Sequence, residues 1–146
     1  MTQALEAPGR DPLVAANAAT ELADRRKLRA VAAAAEKGRT QREIAAKLNV
    51  TQAAVYKMLV KARHTRDLFV ETPREIALRY AAGEITRQQL LTELADYPWT
   101  ATHVLDPDNP LPEQIVPGGW GQLELVVLDG FITDEDYDAV VARVTR

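Results

Sequence analysis

An all-α fold is what this sequence predicts, and three observations predict it. Threonine followed three residues later by Glu or Gln stands at the head of one apolar-periodic stretch after another: Thr40 with Glu43, Thr72 with Glu75, Thr86 with Gln89. Glycine or asparagine stands just past the ends of these stretches, at Gly38, Asn49, Gly83 and Gly130. Prolines gather in one place, Pro98, Pro107, Pro110, Pro112 and Pro117, so a single extended segment is set off from otherwise helical chain.

Taken in order, residues 1–10 carry no periodicity and are expected to be a flexible N-terminus. Asp11 can cap a helix whose first position is Pro12. The alanine-rich stretch that follows repeats Leu13, Ala16, Leu22, Leu28, Val31 and Ala35 at near-helical spacing, one long helix or two abutting ones, closed by Gly38. A short helix from Thr40 to Leu48 ends at Asn49, the kind of residue that best tolerates a left-handed backbone after glycine. Thr51 caps the next helix, which reads to about Arg66 or Leu68.

The remainder, 69–146, reads as two short helical hairpins joined by the Pro-rich loop 98–119. Gly83, Ile85, Thr86, Leu90 and Leu94 of the first recur in register as Gly130, Ile132, Thr133, Tyr137 and Val141 of the second, so one hairpin unit is used twice. Ile85 and Ile132 would act as hydrophobic staples ahead of each cap. The run LELVV at 123–127 admits a short strand as well, and helix is preferred because no partner strand is evident.

Composition narrows the functional classes. A chain of 146 residues, 47% hydrophobic and 27% charged, can bury a modest core and is not disordered throughout. It has no cysteine and no serine, and its two histidines, His64 and His103, stand far apart with no metal spacing; neither an enzyme nor a cofactor or metal site is expected. Asp134, Glu135, Asp136 and Asp138 open a helix rather than a calcium loop and are expected to favour its dipole. Asp106, Asp108 and Asn109 suit turns in the Pro-rich loop, and PGGWGQ lacks the spacing of a phosphate-binding loop. Trp99 and Trp120 flank that loop and are expected to pack it onto the hairpins. With no apolar run of about 20 residues and no signal pattern at the N-terminus, the chain is expected in the cytoplasm, away from membranes.

Charge is divided sharply. From Arg25 to Arg66 there are twelve Lys/Arg against two acids, a net +10, whereas Asp67 to the end carries fifteen acids against five bases, a net −10. Polyanion binding is therefore expected from the first half, with the Arg25-Arg26-Lys27 cluster adding attraction that fades with salt.

The basic half contains one motif of defined geometry, QREIAAKLNVTQAAVYKMLV, Gln41 to Val60. Ala45 is small where a second helix would cross the first, Ile44, Leu48, Val50, Val55 and Met58 are apolar where the two would be pinned, and Asn49 stands at the turn. This span resembles the helix-turn-helix DNA-binding family shared by repressors, resolvases and the promoter-reading region of sigma factors, with asparagine in place of the favoured glycine. The resemblance covers about Thr40–Arg63 and implies a domain over 11–68 that lays a helix beginning at Thr51 into the major groove, as a transcriptional regulator. On that reading Thr51, Gln52, Ala53, Tyr56, Lys57 and Lys61 face the groove, Gln52 suited to adenine and Ala53 to a thymine methyl. Arg39, Thr40, Gln41 and Arg42 at the head of the preceding helix suit phosphate, and Arg63 adds charge.

One such motif per chain implies two half-sites and hence a homodimer on double-stranded DNA. A bacterial, nucleoid-associated protein is expected, since alanine and arginine richness suits a GC-rich genome. The alternative reading is an adaptor or antitoxin-type interaction protein whose acidic half, 67–146, binds a protein partner while the motif serves autoregulation.

Overall fold

The computed structural model describes residues 11–99 and 120–144, and every regular element among them is an α-helix. The helices are α1 (Pro12–Glu36), α2 (Gln41–Leu48), α3 (Gln52–Arg63), α4 (Pro73–Ala81), α5 (Arg87–Ala95), α6 (Gly121–Leu128) and α7 (Asp134–Val144). The alanine-rich stretch is one unbroken helix of 25 residues. Leu13, placed by its spacing among the apolar set, is 79% exposed, while Ala18, Leu22, Leu28 and Val31 are buried. The segment 123–127 is helical, within α6.

Local chemistry accounts for where the helices start and stop. Thr40, Thr51, Thr72 and Thr86 are extended N-caps, each accepting the amide of the residue three further on. At Thr86 the reciprocal bond from its own amide to Gln89 Oε1 completes the box. Thr133 and Asp136 exchange the same two bonds at the head of α7. Gly83 and Gly130 end α4 and α6 with φ of 86° and 82°, and each closes the same motif: Glu84 N donates to Arg79 O and Gly83 N to Tyr80 O, as Phe131 N does to Val126 O and Gly130 N to Val127 O. The repeat read from the sequence is thus repeated in hydrogen bonds.

The chain divides into two compact units, one of Glu21–Glu71, the other of the described residues up to Thr20 and from Thr72 onward. In the second, α4 packs on α5 and on α6, and α7 packs on α5 and α6, so the two hairpins lie against each other helix by corresponding helix. Their core holds Ile76, Leu78, Leu90, Leu94, Leu123, Val126 and Val140, with the staples Ile85 and Ile132 also buried.

Three arginines fasten this unit. Arg74 reaches Asp129 at 2.6 Å and lies 5.1 Å from the centre of the Phe131 ring, Arg79 approaches Glu93 at 3.4 Å, and Arg87 Nε donates to Asp136 Oδ1 at 2.8 Å. That last hydrogen bond raises Arg87 further above its ordinary value, so its charge is constant at any working pH. Asp136 stands in the first turn of α7, as its place in the sequence predicts, and is also only 3% exposed and part of this network.

Trp99 and Trp120 stack edge to face with centroids 4.6 Å apart; Trp99 Nε1 donates to Leu94 O and Trp120 Nε1 to Tyr137 Oη, so both indoles seat on the hairpins. The sequence expectations for residues 1–10 and for His103, Asp106, Asp108, Asn109 and Pro117–Gly119 fall outside the described residues. Among the described residues no helix is long and apolar enough to cross a membrane, and no group of three His, Asp or Glu gathers as metal ligands would.

Candidate nucleic-acid interface

The basic unit is built around the α2–α3 pair. Val31 of α1, Ile44 and Ala45 of α2 and Val55 of α3 are buried together, and Ala34, Ala35, Leu48, Val50, Met58 and Leu59 pack against them. Ala45 is 5% exposed, so a methyl group fills the crossing where a longer side chain would force the helices apart. Ile44, Leu48, Val50, Val55 and Met58, the apolar pins of the motif, are all in this cluster.

The turn follows from one residue. Asn49 has φ 56° and ψ 42°, the lone positive φ outside glycine among the described residues. Its amide donates to Ala46 O and that of Val50 to Ala45 O, the same closure that Gly83 and Gly130 make. Asparagine therefore does here what glycine does at Gly83 and Gly130, its short polar side chain lowering the cost of the left-handed region. Two residues later Thr51 Oγ1 accepts from Ala54 N at 3.1 Å and α3 begins.

With one face anchored, the opposite face is fixed. All eleven residues expected at the interface are exposed: Arg39, Thr40, Gln41, Arg42, Thr51, Gln52, Ala53, Tyr56, Lys57, Lys61 and Arg63. On α3, Ala53, Lys57 and Lys61 stand at intervals of four and share a stripe, with Gln52 and Tyr56 alongside at the same interval. Tyr56 is 54% exposed although it is aromatic, on a face it shares with Gln52, Ala53, Lys57 and Lys61. Thr40 Oγ1 accepts from Glu43 N at 3.1 Å, which leaves the first amides of α2, beside Arg39 and Arg42, at the positive end of the helix dipole.

Two expectations change. The helix from Thr51 ends at Arg63 rather than at Arg66 or Leu68, because Thr65 Oγ1 turns back to Lys61 O at 2.8 Å and the following residues form turns. Carbonyls of that segment also accept from arginine. Arg25 donates to Asp67 O and Val70 O, and Arg29 to Leu68 O and Val70 O, while Arg25 also lies 3.7 Å from the Asp67 carboxylate. Arg25, read from sequence as part of a polyanion-attracting cluster, is therefore spent, with Arg29, on holding the 67–70 segment to α1. Nothing in local periodicity signals such a contact, since the partners lie about forty residues apart.

Within Glu21–Glu71 twelve bases face six acids, a net +6, so the unit remains the basic one. No family model, no curated protein and no solved structure matches the chain.

Proposed function

We propose that this chain is a sequence-specific DNA-binding transcriptional regulator that lays α3 in the major groove. The observation that carries the reading is the two-sidedness of α3: Val55, Met58 and Leu59 pack into the core while Gln52, Ala53, Tyr56, Lys57 and Lys61 project from the other side of the same helix. A helix held in this way offers an amide, a methyl and cations at fixed spacing, which is the chemistry that reads base edges and holds phosphate.

In this reading Gln52 pairs with adenine, Ala53 lies against a thymine methyl, and Thr51, Tyr56, Lys57, Lys61 and Arg63 position the helix on the backbone with Arg39, Thr40, Gln41 and Arg42. A single reading helix covers few base pairs, so two chains bind half-sites about one DNA turn apart.

Selection of bound duplexes from a random pool tests the proposal. An enriched pseudo-palindrome with half-sites about 10 base pairs apart is the expected result. Recovery of a pool with no enriched sequence at any salt concentration would remove specific recognition and leave a basic domain with general polyanion affinity.

A further inference from the structure

The internal repeat points to a second binding surface, independent of DNA. Positions of the two hairpins correspond at a constant separation of 47 residues, the spacing of Gly83 and Gly130. In the second hairpin an open cleft of about 350 Å³ is lined by Glu124, Val127 and Leu128 of α6 and by Asp134 and Tyr137 of α7. The corresponding residues of the first hairpin are Ala77, Tyr80, Ala81, Arg87 and Leu90. Four of these are covered, with Ala77 and Leu90 at 0%, Ala81 at 1% and Tyr80 at 8% exposure. The same face of the same unit is thus closed in one copy and open in the other, where Leu128 stands 80% exposed.

Charge says what suits the open copy. The lining is apolar at Val127, Leu128 and the Tyr137 ring and acidic at Glu124 and Asp134, with no cation among the lining residues. Two nearby acids are already paired, Asp129 with Arg74 and Asp136 with Arg87, whereas Glu124 and Asp134 form no ion pair among the described residues. A second copy placing its own cleft here would oppose carboxylate to carboxylate, which disfavours a symmetric self-contact.

We infer that the α6–α7 cleft is a docking site for a basic amphipathic helix of a partner protein, which lays an apolar side chain over Val127, Leu128 and Tyr137 and pairs Lys or Arg with Glu124 and Asp134. Recognition is of the helix-in-groove kind, apolar anchors giving affinity and the acidic rim giving orientation. This surface does not depend on α3 reading DNA.

The test uses the full chain, isotope-labelled for NMR, and a synthetic amphipathic Leu/Lys helix, with Ser/Lys and Leu/Glu peptides of matched length as controls. Saturable one-to-one binding of the Leu/Lys peptide alone is expected, with amide shifts concentrated at 124–137. Leu128→Ser should weaken it about tenfold, the change that loss of one apolar anchor brings. Because Leu128 is exposed, the variant keeps its fold, and the pair Glu124→Lys, Asp134→Lys gives a second reading that should abolish Leu/Lys binding. The inference is overturned if the Ser/Lys peptide binds equally well, if the shifts fall outside 124–137, if both variants bind as the parent does, or if the chain alone self-associates through Leu128.

Discussion

Arg87 and Asp136 join the two hairpins at the heads of their second helices. One carboxylate oxygen of Asp136 accepts from Arg87 Nε at 2.8 Å and the other from Thr133 N at 3.0 Å, so a single side chain caps its own helix and ties it to the neighbouring repeat. Asp136→Ala loses both bonds at a buried site and should cost about 2 kcal/mol in urea unfolding. Arg87→Gln should cost less than about 1 kcal/mol, because the Arg87 side chain is half exposed and screened by water. Equal losses from the two would show that the ion pair, not the cap, dominates.

The left-handed turn at Asn49 gives a prediction of opposite sign for two substitutions. Asn49→Gly should leave stability within about 0.5 kcal/mol of the parent or raise it, since glycine enters this region without a Cβ clash. Asn49→Val should lower stability by about 1–2 kcal/mol and weaken DNA binding with it. Thermal melts of the two variants side by side decide the matter.

Arg29 should be irreplaceable by lysine. Its guanidinium serves Leu68 O and Val70 O together, a fork that an ammonium cannot reproduce. In both Arg29→Ala and Arg29→Lys the amides of Leu68 and Val70, which close the turns at Thr65 O and Asp67 O, should exchange with solvent faster, while those of α2 keep their protection. Unchanged exchange at 68 and 70 in the lysine variant would mean that one hydrogen bond suffices.

At the candidate interface two truncations to alanine should separate reading from holding. Gln52→Ala should reduce discrimination between the best site and its single-base variants by about 1–3 kcal/mol, whereas Lys61→Ala should weaken all duplexes alike and lower the salt slope by about one. Uniform weakening of every sequence by Gln52→Ala would mean that α3 presents a different face to the bases.

Much of this was legible because helix ends are local. Thr40, Thr51, Thr72 and Thr86 cap the helices that follow them, and Asn49 and the glycines close the ones before, since a cap needs only residues within one turn. The apolar pins from Ile44 to Met58 likewise follow from periodicity. What periodicity could not supply was partner choice across distance: Arg25 looked like free charge and is bound, with Arg29, to carbonyls about forty residues away, and Asp136, legible as a first-turn acid, gave no sign that it would be buried against Arg87. Leu13 shows the converse, a residue in apolar register that faces water at 79% exposure. The cleft on the second hairpin was also hidden, for it arises from unequal covering of two equivalent faces, which no single repeat encodes.

The division of the chain at Thr20 and at Glu71 has a consequence for the order of folding. The basic unit occupies one continuous run, Glu21–Glu71, so its loops are short and it can close as soon as Glu71 has been synthesised. The hairpin unit draws on both sides of that run and cannot finish until its last helix has emerged. The start of α1, up to Thr20, therefore belongs to a unit whose other residues are encoded more than fifty positions downstream, although the helix itself runs without a break into the basic unit.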